Sequence, residues 1–372
     1  IGGKYTLISN VVKTSSGNCF DILADNVEID CNGFNINTSV ANSGSAIYVS
    51  GKSNITIKNC NIQYSQGQCI YLLSSNTGTI YNNNLTRCVY GIRTNTYHNL
   101  NISNIFLGTN MNYGFYNTAS DNCSVRNINY SGSSVSQAFY LTTGADNNNL
   151  TNIFLYHSPG GSIGQALTVY QSSNNNITNL TITGTNLTYA FLSSGSLSYL
   201  DDWYIYPSIN YRGFEIGSSS DVMTDINLYG TGSGYAILDG GGSASAYPIF
   251  KNIYINSSLV SFNGYNVVMD NITMNNTVDV AFQINNPINT TITNITITNG
   301  YAGFTITGYY TENNTFKGGN INVSNYFIKS EGSSNNTFID INFTNSNPID
   351  YSVNMTDVLA RRVCVDNGTG LT

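Results

Sequence analysis

Charge is scarce in this chain: Lys and Arg number 13, Asp and Glu 20, and together they make up 9% of 372 residues, with a formal net charge of −7. No Lys/Arg run or stripe occurs, so the basic footprint of a nucleic-acid surface is missing and nucleic acid is not an expected partner. Long apolar runs are absent too. None approaches the roughly 18–20 residues that cross a bilayer, so no membrane span is expected. No charged-then-apolar leader precedes Ile1, which is compatible with a signal or anchor removed from the mature chain. Proline is down to 5 residues and histidine to 2, and no linker-like or collagen-like stretch stands out among the 35 glycines. What remains is 41% apolar and 12% aromatic, enough for a large core and incompatible with a disordered chain.

The 7 cysteines are odd in number and show neither a CxxC pair nor Cys/His metal spacing, so buried thiols are the first reading. Asn-x-Ser/Thr triplets number 21, but a chain rich in Asn, Ser and Thr generates many by chance.

One pattern repeats throughout. In "SDNCSVRNINYS", "SSNNNITNLTITG" and "SSNNTFIDINFTN" an apolar residue follows an Asn-rich turn, and Asn or Asp stands two positions later. The apolar anchors are Ile57, Ile80, Ile102, Val125, Leu150, Ile177, Leu200, Met223, Phe250, Met269, Ile292, Phe316 and Phe338. Most intervals are about 22–24 residues, a period that signals stacked repeats. The column two positions on reads Asn59, Asn82, Asn104, Asn127, Asn152, Asn179, Asp202, Asp225, Asn252, Asn271, Asn294, Gly318 and Asp340. A second short alternating stretch in each repeat, as in "SAIYV", "YGFYN" and "AGFTI", predicts an inward column from Ile47, Ile70, Ile92, Phe115 and Phe139 through Phe304 to Phe327. No segment keeps a helical period.

Such strands cannot cover their apolar face alone, whereas stacking at about 4.8 Å buries a continuous core. Stacking also sets like above like, so the Asn/Asp column is expected to form an inward amide ladder at a turn. Cys31 and Cys60 then lie in adjacent coils near one corner and are the single disulfide candidate.

With these repeats, and with the opening "GKYTLISNVVKTSSGNCFDILADNVEIDCNGFNIN", the chain resembles the right-handed parallel β-helix proteins of the pectate-lyase-like superfamily and its NosD-like and secreted archaeal surface members. The fold expected is all-β, one right-handed parallel β-helix of about 14–15 coils with an Asn ladder. It would run over 1–372 as a single domain: an opening coil at 1–24, regular coils at 25–355, a last strand and tail at 356–372. The resemblance is poor for function, because the superfamily holds lyases, hydrolases, epimerases, adhesins and inert rods.

The superfamily's hydrolase signatures (Asn-Thr-Asp, Gly-Asp-Asp, Gly-His-Gly, Arg-Ile-Lys) are absent as a set, and His98 and His157 fall in different repeats. No catalytic residue and no cofactor is assigned. Acid is densest at Asp201, Asp202, Glu215, Asp221 and Asp225; Asp202 and Asp225 share the ladder column and are the weak metal candidates, for Ca²⁺. Arg212 is the nearby basic residue.

On the outward side of the second stretch, Tyr48, Tyr71, Tyr116 and Tyr140 form a stripe beside the small residues Ala46, Cys69, Gly91, Gly114 and Ala138. A subunit interface is expected there, with sugar stacking as the competing reading. Sequons at Asn84, Asn101, Asn129, Asn149, Asn176 and Asn342 point outward by alternation, and those at Asn54, Asn122, Asn289, Asn313 and Asn335 lie at a turn into the strand; all are candidates for N-glycans. Asn179, Asn271 and Asn294 should be unmodified. The leading expectation is an extracellular, glycosylated, non-enzymatic rod that self-associates into a filament or surface layer, head-to-tail through uncapped ends or laterally, or serves as an adhesin. The alternative is an enzyme or binding module working on polysaccharide.

Overall fold

The computed structural model describes residues 2–38, 44–63, 67–132, 135–157, 163–185, 187–194, 198–208, 212–217, 220–230, 235–239, 247–256, 259–262, 265–286, 288–307, 313–331, 336–345, 358–361 and 364–366. Among these residues there is no helix, and the chain is a right-handed parallel β-solenoid. The chain divides into two compact units, Ile1–Thr188 and Tyr189–Thr372.

In the first unit the anchors stack in register, Ile29 on Ile57, Ile80, Ile102, Val125, Leu150 and Ile177. A second column runs Phe20, Ile47, Ile70, Ile92, Phe115, Phe139, Leu167. A third runs Val11, Ile36, Ile62, Leu85, Leu107, Tyr130, Leu155, Ile182. These columns meet inside, so each coil's apolar face is covered by its own other strands and its neighbours. The second unit repeats the plan with Leu200, Met223, Phe250, Met269, Ile292, Phe316 and Phe338 as anchors. Its second column includes Phe214, Ile237, Val260, Phe282, Phe304 and Ile328. In that coil it is Ile328 that pairs with Phe304 and is buried, while the half-buried Phe327 ring packs beside it on Phe304, Phe338 and Phe343.

The Asn/Asp column has a backbone cause. Asn59, Asn82, Asn104, Asn127, Asn152, Asn179, Asp202, Asp225, Asn252, Asn271, Asn294 and Asp340 all have φ between 51° and 57°, and Gly318 has 68°. This left-handed bend costs an ordinary L residue roughly 1–2 kcal/mol, and Asn, Asp and Gly tolerate it best. The side chains then bond along the axis: Asn82 Nδ2 donates to Asn59 Oδ1 at 3.4 Å, Asn104 to Asn82 at 3.1 Å, Asn127 to Asn104 at 2.9 Å and Asn152 to Asn127 at 3.0 Å. Asn179 continues to Asn152 at 2.7 Å. In the second unit Asn252 donates to Asp225 at 3.0 Å and Asn271 to Asn252 at 2.9 Å, while Asn294 turns instead to Asp270 at 2.8 Å. The ladder is not inward as the sequence suggests: most of its members are exposed, since the bend points the side chain off the corner.

A buried polar column does exist, two residues before the anchor. Asn148 Oδ1 accepts from the Cys123 N–H at 2.9 Å, Asn175 Oδ1 from Asn148 N–H at 3.0 Å, Asp221 Oδ1 from Ser198 N–H at 2.8 Å, and Asn314 Oδ1 from Thr290 N–H at 2.9 Å. Each satisfies a backbone donor that the turn takes out of the sheet.

Cys31 and Cys60 form a disulfide with Cα atoms 4.7 Å apart, and a second, not foreseen, joins Cys69 and Cys88 at 5.6 Å. The thiol reading therefore fails for these four residues. Cys19 and Cys123 are free, and burial pushes the Cys123 thiol up to about 12.

Candidate functional site

The tyrosine stripe becomes a cluster in the first unit. Tyr48 and Tyr71 have ring centroids 5.4 Å apart, and Tyr116 and Tyr140 5.2 Å. Between these pairs stand Tyr90 and Tyr113, stacked at 4.9 Å and 6°, with Tyr116 edge-on to both. Arg93 completes the set: its guanidinium lies 4.8 Å from the Tyr71 ring, 5.1 Å from Tyr90 and 5.7 Å from Tyr116. Burial, then the neighbouring Tyr90, Tyr116 and Tyr140, push the Tyr113 phenol above its ordinary value.

Register explains why these residues meet. Tyr48, Tyr71, Arg93, Tyr116, Tyr140 and Thr168 stack in one outward column, and Gln68, Tyr90, Tyr113, Gln137 and Gln165 in the next. The Gln137 amide donates to Gln165, whose Oε1 also accepts from Thr168 Oγ1 at 2.6 Å. Arg93 Nε and Gln68 Oε1 are sequestered without a hydrogen-bond partner among the described residues. Tyr90, Tyr113 and the glutamines were missed because only one outward column was followed; the Tyr-Gly opening of "YGIRT" and "YGFYN" marks the second.

The small-residue column beside the stripe does not receive another surface. It is buried: a Cβ at Gly91 would lie 2.5 Å from the Gly114 carbonyl oxygen, and one at Gly114 2.7 Å from that of Ala138. The close approach it permits is that of the next coil.

In the second unit the acidic residues do not converge. Asp221 is interior, and Asp201 accepts from Thr224 Oγ1. Asp202 and Asp225 stand on the corner, where Asp225 accepts from Asn252 and the Asp202 charge, ahead of burial, raises the phenol of Tyr204. Beside them Tyr206 stacks on Tyr229 at 4.8 Å, and Tyr254 follows at 5.4 Å. Among the described residues no group of three or more His, Cys, Asp and Glu side chains could hold a metal. The side chain of Arg212 lies outside the described residues.

Other carboxylates are held as anions. The Lys58 ammonium, 2.7 Å from Glu28 and 3.4 Å from Asp30, helps to lower both; for Asp30 the leading cause is the hydrogen bond from Asn59. Thr293 and Asn294 lower Asp270. A downward shift suits a fixed charge and not a general acid at neutral pH. His98 meets Asp121 of the following coil at 3.5 Å on the surface.

The sequons sort by geometry. Asn54, Asn176, Asn289 and Asn342 donate Nδ2 to Asn26, Asn149, Asn266 and Asn320 at 2.7–3.4 Å. Asn84, Asn122, Asn129, Asn149 and Asn313 are exposed, and Asn122 and Asn313 sit at left-handed bends with φ of 56° and 57°. Asn101 departs from its outward expectation: it is half-buried, with Oδ1 sequestered. Asn335 lies outside the described residues.

Residues 2–155 match the family model described as "Right handed beta helix region". That stretch is a right-handed β-helix. No curated protein sequence matches the chain. Among solved structures, the β-helix is similar to the catalytic domain of a GH87 alpha-1,3-glucanase, with 14% identity, TM-score 0.46, 87% of this chain and 64% of that one. It therefore spans a little under two thirds of that domain. It is also similar to the A-module of mannuronan C-5 epimerase AlgE6 from Azotobacter vinelandii (13% identity, TM-score 0.35, 98% and 91% coverage). A third is an exopolygalacturonase from Thermotoga maritima (9%, 0.39, 88% and 84%). The likeness is one of fold and carries no chemistry over to this β-helix.

Proposed function

We propose that the chain is an extracellular, glycosylated, non-enzymatic β-helix of the adhesin kind, and that the tyrosine face of its first unit binds polysaccharide. The carrying observation is the Arg93 cluster. Six half-buried tyrosine rings on consecutive coils offer flat apolar contact at low entropic cost, and Arg93 with Gln68, Gln137 and Gln165, each on a different coil, adds polar groups along the same face. A repeating surface of this kind matches a repeating ligand. The extracellular part rests on the Cys31–Cys60 and Cys69–Cys88 disulfides, which persist in oxidising compartments.

Affinity electrophoresis of the secreted protein against neutral and acidic polysaccharides tests this. Binding should weaken at least about tenfold in Arg93→Ala and in Tyr116→Ala, since central aromatic and Arg residues carry most of such an interface. Unchanged retention in both variants on every polymer retained by the wild type would sink the proposal. The same polymers, assayed for cleavage by wild type and Asp202→Asn, separate binding from an enzymatic reading: polymer chain-breaking lost in Asp202→Asn would favour an enzyme.

Self-association is the second reading, favoured by an exposed apolar surface around Leu7. There a cavity of about 390 Å³ is lined by Tyr5, Leu7, Phe20, Ile22, Val27 and Ile29. Nearby Ile8 and Leu23 are 89% and 80% exposed. Negative-stain images of the undenatured protein should show filaments or sheets if this apolar surface takes part in assembly, and dispersed particles if it does not.

A further inference from the structure

Two exposed phenylalanines belong to neither tyrosine cluster. Phe106 is 37% and Phe154 40% exposed, on the outward side of the anchor strands in the first unit. Their neighbours in the column are sequon asparagines: Asn84 pairs with Phe106, Phe106 with Asn129, and Asn129 with Phe154. The order along the axis is thus Asn, Phe, Asn, Phe, each step about 4.8 Å.

We infer that Asn84 and Asn129 carry N-glycans whose first sugar rings lie on Phe106 and Phe154. This rests on the extracellular reading above. Both asparagines are exposed in regular strand, and among the described residues neither side-chain amide has a hydrogen-bond partner. That separates them from Asn54, Asn176, Asn289 and Asn342, whose Nδ2, the atom a glycan joins, is already a donor along the axis. The hydroxyls of the two triplets, on Thr86 and Ser131, stand two residues on in the same strands and on the same face. A ring one rung away presents its face or edge at van der Waals reach of a sugar on Nδ2, and the C–H side of a pyranose packs on an aromatic ring as other apolar surface does. Phe106 is further held by the lack of a side chain at Gly108, where a Cβ would come within 3.2 Å of its ring.

The experiment is glycopeptide mass spectrometry of the full chain secreted from a glycosylating host, followed by melting and proton NMR of wild type and Phe106→Leu, each with and without enzymatic removal of sugar. Expected are glycans at Asn84 and Asn129. Sugar removal should lower the wild-type Tm by about 1–2 °C, with the loss shrinking in Phe106→Leu. First-sugar protons at Asn84 should be shifted upfield in the wild type and not in Phe106→Leu, while those at Asn129, beside the unchanged Phe154, should be shifted in both. Glycans at other sequons but not at these two would overturn this inference and leave the extracellular reading standing; no glycan anywhere would overturn both. Occupied sites with no upfield shift and the same Tm loss in Phe106→Leu would overturn the packing.

Discussion

The two units turn their corners alike and fill their interiors differently. The first is lined chiefly by Ile, Leu and Val, and in its early coils is tied by two disulfides. The second adds stacked rings to its Ile, Leu and Val: Phe282 stacks on Phe304 at 5.1 Å, Phe316 on Phe338 at 4.5 Å, and Trp203 lies 5.6 Å from Phe214. Yet Asn127 and Asn271 have φ of 54° and 57° and make the same axial bond. The bend, not the filler, is what the repeat conserves along the chain. Interiors of the right volume are interchangeable, whereas a left-handed bend admits few residue types.

The largest test of that contrast is Phe304→Ala. Its ring touches those of Phe282, Phe316, Phe327 and Phe338, so its loss should cost about 3–5 kcal/mol. Urea unfolding followed by the single tryptophan, Trp203, reads the second unit directly; a cost under about 1 kcal/mol would mean that the stacked rings are not a cooperative core. Next comes the double change Cys69→Ser with Cys88→Ser, expected to cost about 2–4 kcal/mol. Hydrogen exchange should quicken in the first unit and hold steady in the second. Equal loss of protection in both would erase the distinction drawn here.

The shared bend is tested by Asn127→Ala and Asn271→Ala, each expected to cost roughly 1–2 kcal/mol through the left-handed backbone alone. Gly at either position should cost less, about 0.5–1.5 kcal/mol, because only axial hydrogen bonds are lost, a donated and an accepted one at Asn127 and the donated one at Asn271. A tolerated Ala in one unit but not the other would show that the corners differ after all. The smallest effect is that of acid. Glu28 and Asp30 in the first unit and Asp270 in the second have lowered folded-state pKa values. Their contribution is present above the ordinary carboxylate range and is lost as pH falls through the folded-state value. Melting measured from about pH 6 down to pH 2 should therefore decline, and Asp270→Asn should flatten the second unit's part of the decline; a steeper fall in that variant would reverse the assignment.

Much of this was legible in the sequence, for physical reasons. The anchor and second-strand columns followed from alternation and a constant interval, and nearly every anchor stacks where its spacing put it. The corner asparagines were visible as a column, but their exposure was not: a fixed offset reveals a repeated role and not the sign of φ that sets the side chain's direction. The buried Asn148, Asn175 and Asn314 sat unnoticed inside Asn runs, where composition hides which member turns inward. Cys69 and Cys88 were missed because 19 residues and several left-handed bends separate them, so their closeness depends on the path of nearly a whole turn. In the candidate site, Tyr48, Tyr71, Tyr116 and Tyr140 were found from one column, whereas the Arg93 cage required the register of two.

Because most corner asparagines bond to their counterpart one coil back, a whole turn is an interchangeable part. Excising the stretch from Ile102 to Ser124 would bring Val125 onto Ile80 and Asn127 onto Asn82, with every bend still followed by the strand it feeds. A gene for such a chain can gain or lose length in whole turns by duplication or deletion, and selection can set how far its tyrosine face reaches without redesigning any single coil.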